Sequence, residues 1–517
     1  MATMTLFSAS DRRIASAIAQ LTYCNPFRPR RIELERAALG RAYVDASPPW
    51  NTRGDIIEDH PNVVRLLEKA GTLAAQVGAA LRRGVRGSDE DLRLYEDIVV
   101  FVLYHEWGNR FDSDDERTQR RRAARKRVDF FGAFKRDVGQ RLAIPGLTLP
   151  TANEAAHLFA CYYQVARAFH SIFRCVIGGS EPMWRFRAAV WESVFTHDMR
   201  RYRRVLYARM ADFVTLITGP SGSGKELAAR AVGLSRYVPF DETGECFAED
   251  VASSFYPLNL TALSPSLIES ELFGHRRGAF TGAVTETVGW LETCPALGTI
   301  FLDEIGELDS VTQVKLLRVL QTRSFNRIGE TIERHFRGKL VVATNRDLVA
   351  AMRSGIVRED FYYRLCSDII EVPSLRERLA DDPGELGTLL QFIAARLLPG
   401  EAEPLAVEAR EYIVEHLGAD YPWPGNVREL EQCVNNVLVR KSYRATASSR
   451  AKRDDADDLV TLMRRGELTA DELLCRYCTM AYERSGSFEE TARRLNIDRR
   501  TVRAKVRRTA EAQQAST

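Results

Sequence analysis

Phe213-Val214-Thr215-Leu216-Ile217-Thr218 runs straight into Gly219-Pro220-Ser221-Gly222-Ser223-Gly224-Lys225-Glu226, and a helical pattern starts at Leu227. The first six residues, apolar and β-branched, read as a buried strand. Glycines in the next eight let the backbone curl so that its N–H groups point at phosphate oxygens, and the following helix adds the positive end of its dipole. Lys225 supplies a point charge for β- and γ-phosphates. Strand, glycine loop and helix in that order predict a nucleotide-binding α/β domain. A general phosphate loop has Ser or Thr where Glu226 stands, to ligate magnesium.

The second half of such a site is Leu297-Gly298-Thr299-Ile300-Phe301-Leu302-Asp303-Glu304, an apolar strand ending in two acids. Two adjacent carboxylates are costly to bury without a cation. Asp303 is suited to hold Mg²⁺, and Glu304 to orient or activate an attacking water. Leu340-Val341-Val342-Ala343-Thr344-Asn345-Arg346 is a further strand with a polar tip.

At 517 residues the chain is long enough for about three domains at roughly 150 residues each. Residues 1–182 mix helical stretches with polar breaks: Asp97 to Tyr104 is apolar enough for a core, and Ala155 to Ile177 carries aromatics at helical spacing. Residues 183–440 alternate short apolar strands with helices and end in a helical lid. The polar, mixed-charge stretch 441–468 reads as a linker and 469–517 as a helical domain. No apolar run is long enough for a membrane span, and the first residues lack the basic-then-apolar pattern of a secretory leader. Of the nine cysteines only Cys475 and Cys478 form a C-x-x-C, without a second pair to complete a zinc site. Both read as small core residues of a helix. Reduced thiols and a cytoplasmic location are expected.

Between the two halves of the nucleotide site lies Gly278-Ala279-Phe280-Thr281-Gly282-Ala283, after Glu269-Ser270-Glu271-Leu272-Phe273-Gly274-His275. In that setting the string resembles the GAFTGA loop of the bacterial sigma-54-dependent activators, enhancer-binding proteins of the AAA+ class. The resemblance covers most of 183–440. It implies a multidomain protein with a mostly helical N-terminal domain, an α/β AAA+ P-loop ATPase with a helical lid, and a C-terminal all-α helix-turn-helix. It also implies ATP and Mg²⁺ as cofactors, and a ring, usually a hexamer, that binds upstream enhancer DNA. In that family Gly278 to Ala283 would grip the sigma factor of sigma-54 RNA polymerase. Thr344 and Asn345 match the first sensor of the γ-phosphate, and Asn259 the residue that restrains the catalytic glutamate. Arg358 and Arg364, in Val357-Arg358-Glu359-Asp360-Phe361-Tyr362-Tyr363-Arg364, resemble arginine fingers. Such fingers stabilise phosphoryl-transfer charge, and a site shared between subunits would require them in trans. Trp423-Pro424-Gly425-Asn426-Val427-Arg428 resembles the second sensor, with Arg428 on nucleotide.

The chain departs from that pattern in places. Glu226 is usual there, but Pro220 replaces a glutamate, and Arg276-Arg277 stands where an acid is common. Asp241 to Ser254, with Asp241, Glu242, Glu245, Glu249 and Asp250, reads as a surface insertion of open role.

Net charge is only +3, but from Arg484 to Arg508 nine Lys/Arg face three Asp/Glu, a local basic footprint. Thr469-Ala470-Asp471-Glu472 and Ser487-Phe488-Glu489-Glu490 fit capping boxes, and Asp498 is a suitable N-cap for a third helix. Phe488, Ala492, Leu495, Ile497, Val502 and Val506 can form a small core. That leaves Arg499, Arg500, Thr501, Arg503, Ala504 and Arg507 for groove and phosphate contact. The segment resembles the Fis-type module that ends most sigma-54 activators. A second basic run, Arg117 to Arg127, follows the acids Asp112 to Glu116 and reads as a solvated helix face or an internal contact. His105, Glu106 and Trp107 read as structural rather than as a ligand pocket.

The expected function is sigma-54-dependent activation. The rival readings are an AAA+ remodeller of another protein and a DNA-binding regulator with a silent ATPase. Residues 1–182 show no alternation of five strands with helices, so an aspartyl-phosphorylated receiver is not expected. A ligand or partner protein on the N-terminal domain is.

Overall fold

A computed structural model describes residues 6–45, 60–119, 127–249, 254–418, 420–445, 463 and 469–514. Most of the expected linker lies outside these residues. So do 250–253 of the insertion, 120–126 of the first basic run and the side chains of 112–119. The chain divides into two compact units, Met1–Gly418 with Gly425–Ser442, and Ala419–Pro424 with Tyr443–Thr517.

The first unit opens with helices α1 (Ala9–Thr22), α2 (Arg30–Leu39), α3 (Pro61–Arg82), α4 (Asp89–Gln119), α5 (Phe131–Leu142), α6 (Ala155–Cys175) and α7 (Glu181–Phe195). Every described element up to Cys175 is helical, as expected. The apolar run inside Asp97 to Tyr104 lies in α4, where Ile98 to Leu103 are all buried. A helix apolar on every side is one enclosed by others, and α1, α3, α5 and α6 pack around it. His105 belongs to this packing through Phe101 and Tyr104, while Trp107 donates to Asp137 and Glu106 pairs with Arg141. The structural reading of these three residues fits.

After a short turn, α8 (Met199–Arg201), comes the sheet domain. Its strands are β1 (Thr215–Thr218), β4 (Phe255–Asn259), β7 (Thr299–Asp303), β10 (Lys339–Thr344) and β11 (Asp368–Glu371). They lie in the order β11-β1-β10-β7-β4, all parallel. A parallel sheet is covered on both faces, and the side chains divide strictly by alternation. Leu216, Ile300, Leu302, Leu340 and Val342 point into one core; Ile217, Phe301, Val341 and Ala343 point into the other.

The second of these cores contains α7 and the helix that follows β1, α9 (Lys225–Leu234). It also receives Ala168, Ile172 and Phe173 from α6, whose earlier residues Leu158, Phe159 and Tyr162 sit in the N-terminal core. One continuous helix therefore serves both cores.

Small hairpins decorate the domain: β2 (Phe240–Asp241) with β3 (Cys246–Phe247), β5 (Gly274–His275) with β6 (Thr287–Val288), and β8 (Ser324–Phe325) with β9 (Arg334–His335). The helices among them are α10 (Pro265–Phe273), α11 (Trp290–Thr293), α12 (Ser310–Thr322), α13 (Leu348–Arg353) and α14 (Glu359–Leu365). The lid is α15 (Leu375–Asp381), α16 (Glu385–Leu397), α17 (Ala402–His416) and α18 (Asn426–Arg440).

The insertion at 241–254 corrects the sequence reading. It is not wholly a surface stretch. Asp241, Glu242, Thr243 and Gly244 are exposed, but Cys246 is buried and Phe247 stacks on Tyr163, ring centroids 4.1 Å apart. Phe240, at the hairpin's other strand, meets Phe131 and Phe159 at 4.5 and 4.8 Å. The Val128 N–H donates to the Glu245 carbonyl at 2.7 Å. Apolar alternation over two-residue strands is too short to read from sequence, so the flanking acids dominated.

The second unit carries α19 (Ala470–Ser485), α20 (Phe488–Leu495) and α21 (Arg499–Gln514). The Thr469 capping box has both of its bonds, and the Ser487 side chain accepts from the Glu490 N–H at 3.4 Å. Asp498 accepts from the Arg500 N–H at 2.7 Å. Cys478, Ala492 and Val502 form the core, with Phe488, Leu495, Ile497 and Val506 against it. Among the described residues no helix is long and apolar enough to cross a membrane.

Candidate nucleotide-binding site

The phosphate loop sits where β1 ends and α9 begins, at the carboxyl edge of the sheet, where open parallel sheets bind ligands. Gly219, Gly222 and Gly224 have φ of 150°, 76° and 105°. Gly222 has a second reason to be glycine: a Cβ there would lie 2.3 Å from the Gly425 carbonyl oxygen of the lid. The Pro220 carbonyl accepts the Ser223 hydroxyl at 2.8 Å, closing the loop on itself.

Lys225 is largely buried and donates to the carbonyls of Gly219 at 3.1 Å and Pro220 at 3.4 Å. Its Nζ lies 4.0 Å from Glu304 Oε1. Burial pulls the ammonium below its ordinary pKa; Glu304 and Asp303 oppose that and Arg428 adds to it. The four charges named from sequence thus share one field. Glu226, by contrast, is exposed and faces Arg230 one turn along α9.

Asp303 ends β7 and accepts from the Glu304 N–H at 3.0 Å. Glu304 holds a left-handed backbone, φ 59° and ψ 50°, a sparsely populated state for a non-glycine residue that is common at functional sites. Its carboxylate accepts the Asn345 N–H at 3.1 Å. Thr344, fully buried at the end of β10, accepts the Arg346 N–H at 3.1 Å. Asn259 is the register partner of Asp303 across β4 and β7. Its side chain accepts from the Thr261 N–H and hydroxyl at 3.0 and 2.7 Å rather than engaging Glu304. In this state the restraint on Glu304 comes from Asn345 and Lys225.

The lid closes over the loop through the start of α18. The Arg428 N–H donates to the Gly222 carbonyl at 3.2 Å, and its guanidinium reaches Ser221 Oγ at 3.4 Å. Asn426, to which the sequence pattern assigns no role, joins three segments. Its amide donates to the Ser221 carbonyl at 2.9 Å and its oxygen accepts the Leu375 N–H at 2.9 Å. It is buried with φ 54°. The signal was present in Pro424-Gly425-Asn426, since Asn tolerates the left-handed region better than other non-glycine residues.

Arg358 and Arg364 are exposed and are not brought to the loop of their own chain. Arg358 makes a bidentate pair with Asp360 at 3.0 and 2.8 Å, and Arg364 donates to the Leu320 carbonyl at 3.0 Å.

The Gly278–Ala283 string is the tip of the β5–β6 hairpin. It folds as hydrogen-bonded turns, with Gly278 N–H to Ala283 O at 2.9 Å and Ala283 N–H to Phe280 O at 3.0 Å. Gly278 and Gly282 have φ of 80° and 101° with open space around them, so glycine serves backbone conformation here, not close packing. Phe280 is 39% exposed beside the His275 ring, Thr281 is exposed and Ala283 is buried. The hairpin's base is braced by β8–β9: Ile328 N–H donates to Gly274 O, and buried Arg327 pairs with Glu286 and Glu292.

On the second unit, Arg499, Arg500, Thr501, Arg503, Ala504 and Arg507 are all exposed, and the buried residue between them is Val502. Arg499 pairs with Glu489 at 2.5 Å.

A family model, the sigma-54 interaction domain, matches residues 194–371. The chain is 36% identical over 308 residues to the transcriptional regulatory protein ZraR of Escherichia coli K12, covering 58% of this chain and 64% of that protein. It is 42% identical over 247 residues to the Nif-specific regulatory protein of Azotobacter vinelandii, covering 47% and 43%. It is 38% identical over 241 residues to the DNA-binding transcriptional regulator NtrC of Rhizobium meliloti, covering 46% and 45%. The chain therefore spans less than two thirds of the length of each relative.

Proposed function

This chain carries a sigma-54 interaction domain at residues 194–371 and belongs with the sigma-54-dependent activators; on that premise we propose that it hydrolyses ATP to remodel sigma-54 RNA polymerase and promote open-complex formation. The observation that carries the reading is the gathering of Lys225, Asp303 and Glu304 at a phosphate loop, in a domain that also projects Phe280 and Thr281 on a braced hairpin.

Lys225 would bind the β- and γ-phosphates and Glu304 would orient the attacking water. Left-handed backbone and the Asn345 N–H hold that carboxylate at the loop. Asp303 fits Mg²⁺, a cation that takes one or two carboxylates and completes its shell with water and phosphate oxygens. When bound, Mg²⁺ neutralises phosphate charge. Arg428, already on Ser221, would report nucleotide to the lid, and Thr344 and Asn345 would sense the γ-phosphate. Arg358 and Arg364 act in trans in this reading, which requires a ring, taken here as a hexamer. The 469–517 domain would be a helix-turn-helix on upstream DNA: Arg500, Arg503 and Arg507 are exposed and carry no ion pair among the described residues. Control would pass through the helices of residues 1–182.

The test is a sigma-54 promoter assay with Phe280→Ala and Thr281→Ala. Hydrolysis should persist while activation is lost. Full activation by both variants would reduce the loop to an ordinary turn and favour a remodeller of some other protein.

A further inference from the structure

A cavity of about 240 Å³ opens where α6, α7 and the segment Tyr202–Ala211 meet the end of α9 and the first residue of β10, Lys339. The nucleotide site lies at the other end of β10, where Thr344 stands. Five strand steps of ~3.3 Å put the two roughly 16 Å apart. The cavity is smaller than the ~300–1,000 Å³ of drug-sized pockets, so it suits a small molecule.

Its walls are aromatic and apolar. Tyr202, Tyr207, Tyr237, Met210 and Val232 contribute, and the Tyr207 and Tyr237 rings lie 4.6 Å apart. Its charged groups are cationic. Arg236 donates to the carbonyls of Ala296 and Gly298, and Lys339 to those of Met210 and Phe213, both at 3.2 Å. Neither forms an ion pair among the described residues. Arg323 adjoins them, donating to the Ala211 and Gly338 carbonyls. Burial pushes Lys339 down to about 8 and Arg236 down to about 10. Asp368 opposes the first shift; Cys294, then Tyr202 and Glu249, oppose the second, and neither acid reaches salt-bridge contact. Arg236 and Arg323 both depress Lys339 further. Ser235, also in the lining, has a buried hydroxyl without a hydrogen-bond partner among the described residues. Lys339 is a buried cation held only by neutral carbonyls, an expensive arrangement, and an anion in the adjoining cavity would relieve that cost.

We propose that this cavity binds a small organic carboxylate with a flat apolar body, its carboxylate against Arg236 and Lys339 and its body against the tyrosines. Occupancy would tie α6 and α7 to the segment that runs into β1 and so to the phosphate loop. The second consequence, a change in ATP hydrolysis, rests on the function proposed above.

The experiment is calorimetric titration of the full-length protein with benzoate, phenylacetate and 2-naphthoate, each beside its primary-alcohol isostere. At least one carboxylate should bind saturably and at least tenfold tighter than its alcohol. Arg236→Met should remove that preference, and Ala211→Phe, which fills the cavity while keeping both cations, should remove binding. Absence of binding by all three carboxylates, or binding unchanged in Ala211→Phe, would overturn the site. Where Arg236→Met fails to fold by circular dichroism, Ala211→Phe decides alone. Ligand should change hydrolysis by wild type and not by Ala211→Phe. A wild-type protein with no hydrolysis would refute the catalytic reading and leave the binding result standing. Binding that leaves active hydrolysis unchanged would overturn the regulatory consequence.

Discussion

The phosphate loop and the 240–247 hairpin are separated in sequence by little more than helix α9, yet they are built on opposite principles. The loop is held by backbone groups that only certain residues permit: glycines at positive φ, a Pro220 carbonyl on Ser223, a lysine over two carbonyls. The hairpin is held by side-chain rings, Phe240 and Phe247 among Phe131, Phe159 and Tyr163. Backbone chemistry leaves a signature in a few consecutive residues. Aromatic packing leaves its other half far away in the chain. The nucleotide edge is therefore local and the N-terminal attachment distributed, and substitutions should separate the two.

The largest effect belongs to the local site. Glu304→Gln should retain nucleotide binding and lose hydrolysis by ~10²–10⁴-fold, the usual contribution of a positioned acid–base group. Lys225→Ala should instead lose binding itself. Thermal melting should change little in either, because neither side chain belongs to a hydrophobic core. Wild-type hydrolysis by Glu304→Gln would end the assignment of that residue.

That contrast also explains what the sequence disclosed. The strand before Gly219, the Asp303–Glu304 pair and the capping residues Thr469 and Asp498 were legible because each needs a particular residue type at a particular offset. The exposed face of α21 followed from placing Val502 and Val506 inward. Asn426 leaves little trace in the sequence because its work is done by one amide between segments far apart in the chain, Ser221 and Leu375. The buried role of Cys246 and Phe247 was masked by the neighbouring acids, and α6 gave no sign that its two halves serve different cores.

A further substitution probes how the N-terminal helices reach the lid. Arg378 and Glu385 form a buried pair, side chains 5% and 0% exposed, that also binds the Ile177 carbonyl and the Ser180 N–H. Burial lowers the Arg378 pKa while Glu385 supports the charge. Glu385→Ala leaves that guanidinium without its acid and opens the turn between α6 and α7. Breaking such a pair costs ~3–5 kcal/mol, so chemical unfolding should register a large loss. A loss below ~1 kcal/mol would mean that solvent reaches the pair.

Phe247→Ala tests the hairpin directly. Removing a buried phenylalanine costs ~3–5 kcal/mol, and partial exposure of this ring places the expectation near the low end. Limited proteolysis should open the 240–249 region while ATP binding persists, since no ring of the hairpin touches the phosphate loop. Protection unchanged from wild type would return the insertion to a surface role.

The smallest effect should come from the hairpin's charges. Glu242 meets Lys135 and Glu245 meets Arg127, each at 2.6 Å, but Lys135 is 55% and Arg127 77% exposed in their side chains. Exposed pairs of this kind contribute ~0–1 kcal/mol, and salt screens them further. Lys135→Ala and Arg127→Ala should each shift stability within that range, the more weakly at high ionic strength. The backbone bond from Val128 to the Glu245 carbonyl remains in both variants, so register is kept. Were either variant to match Phe247→Ala, the attachment would be ionic rather than aromatic. Stability of wild type would then fall steeply with added salt, which an aromatic attachment does not require. A flat salt response together with small losses in both charge variants assigns the hold of the hairpin to its rings.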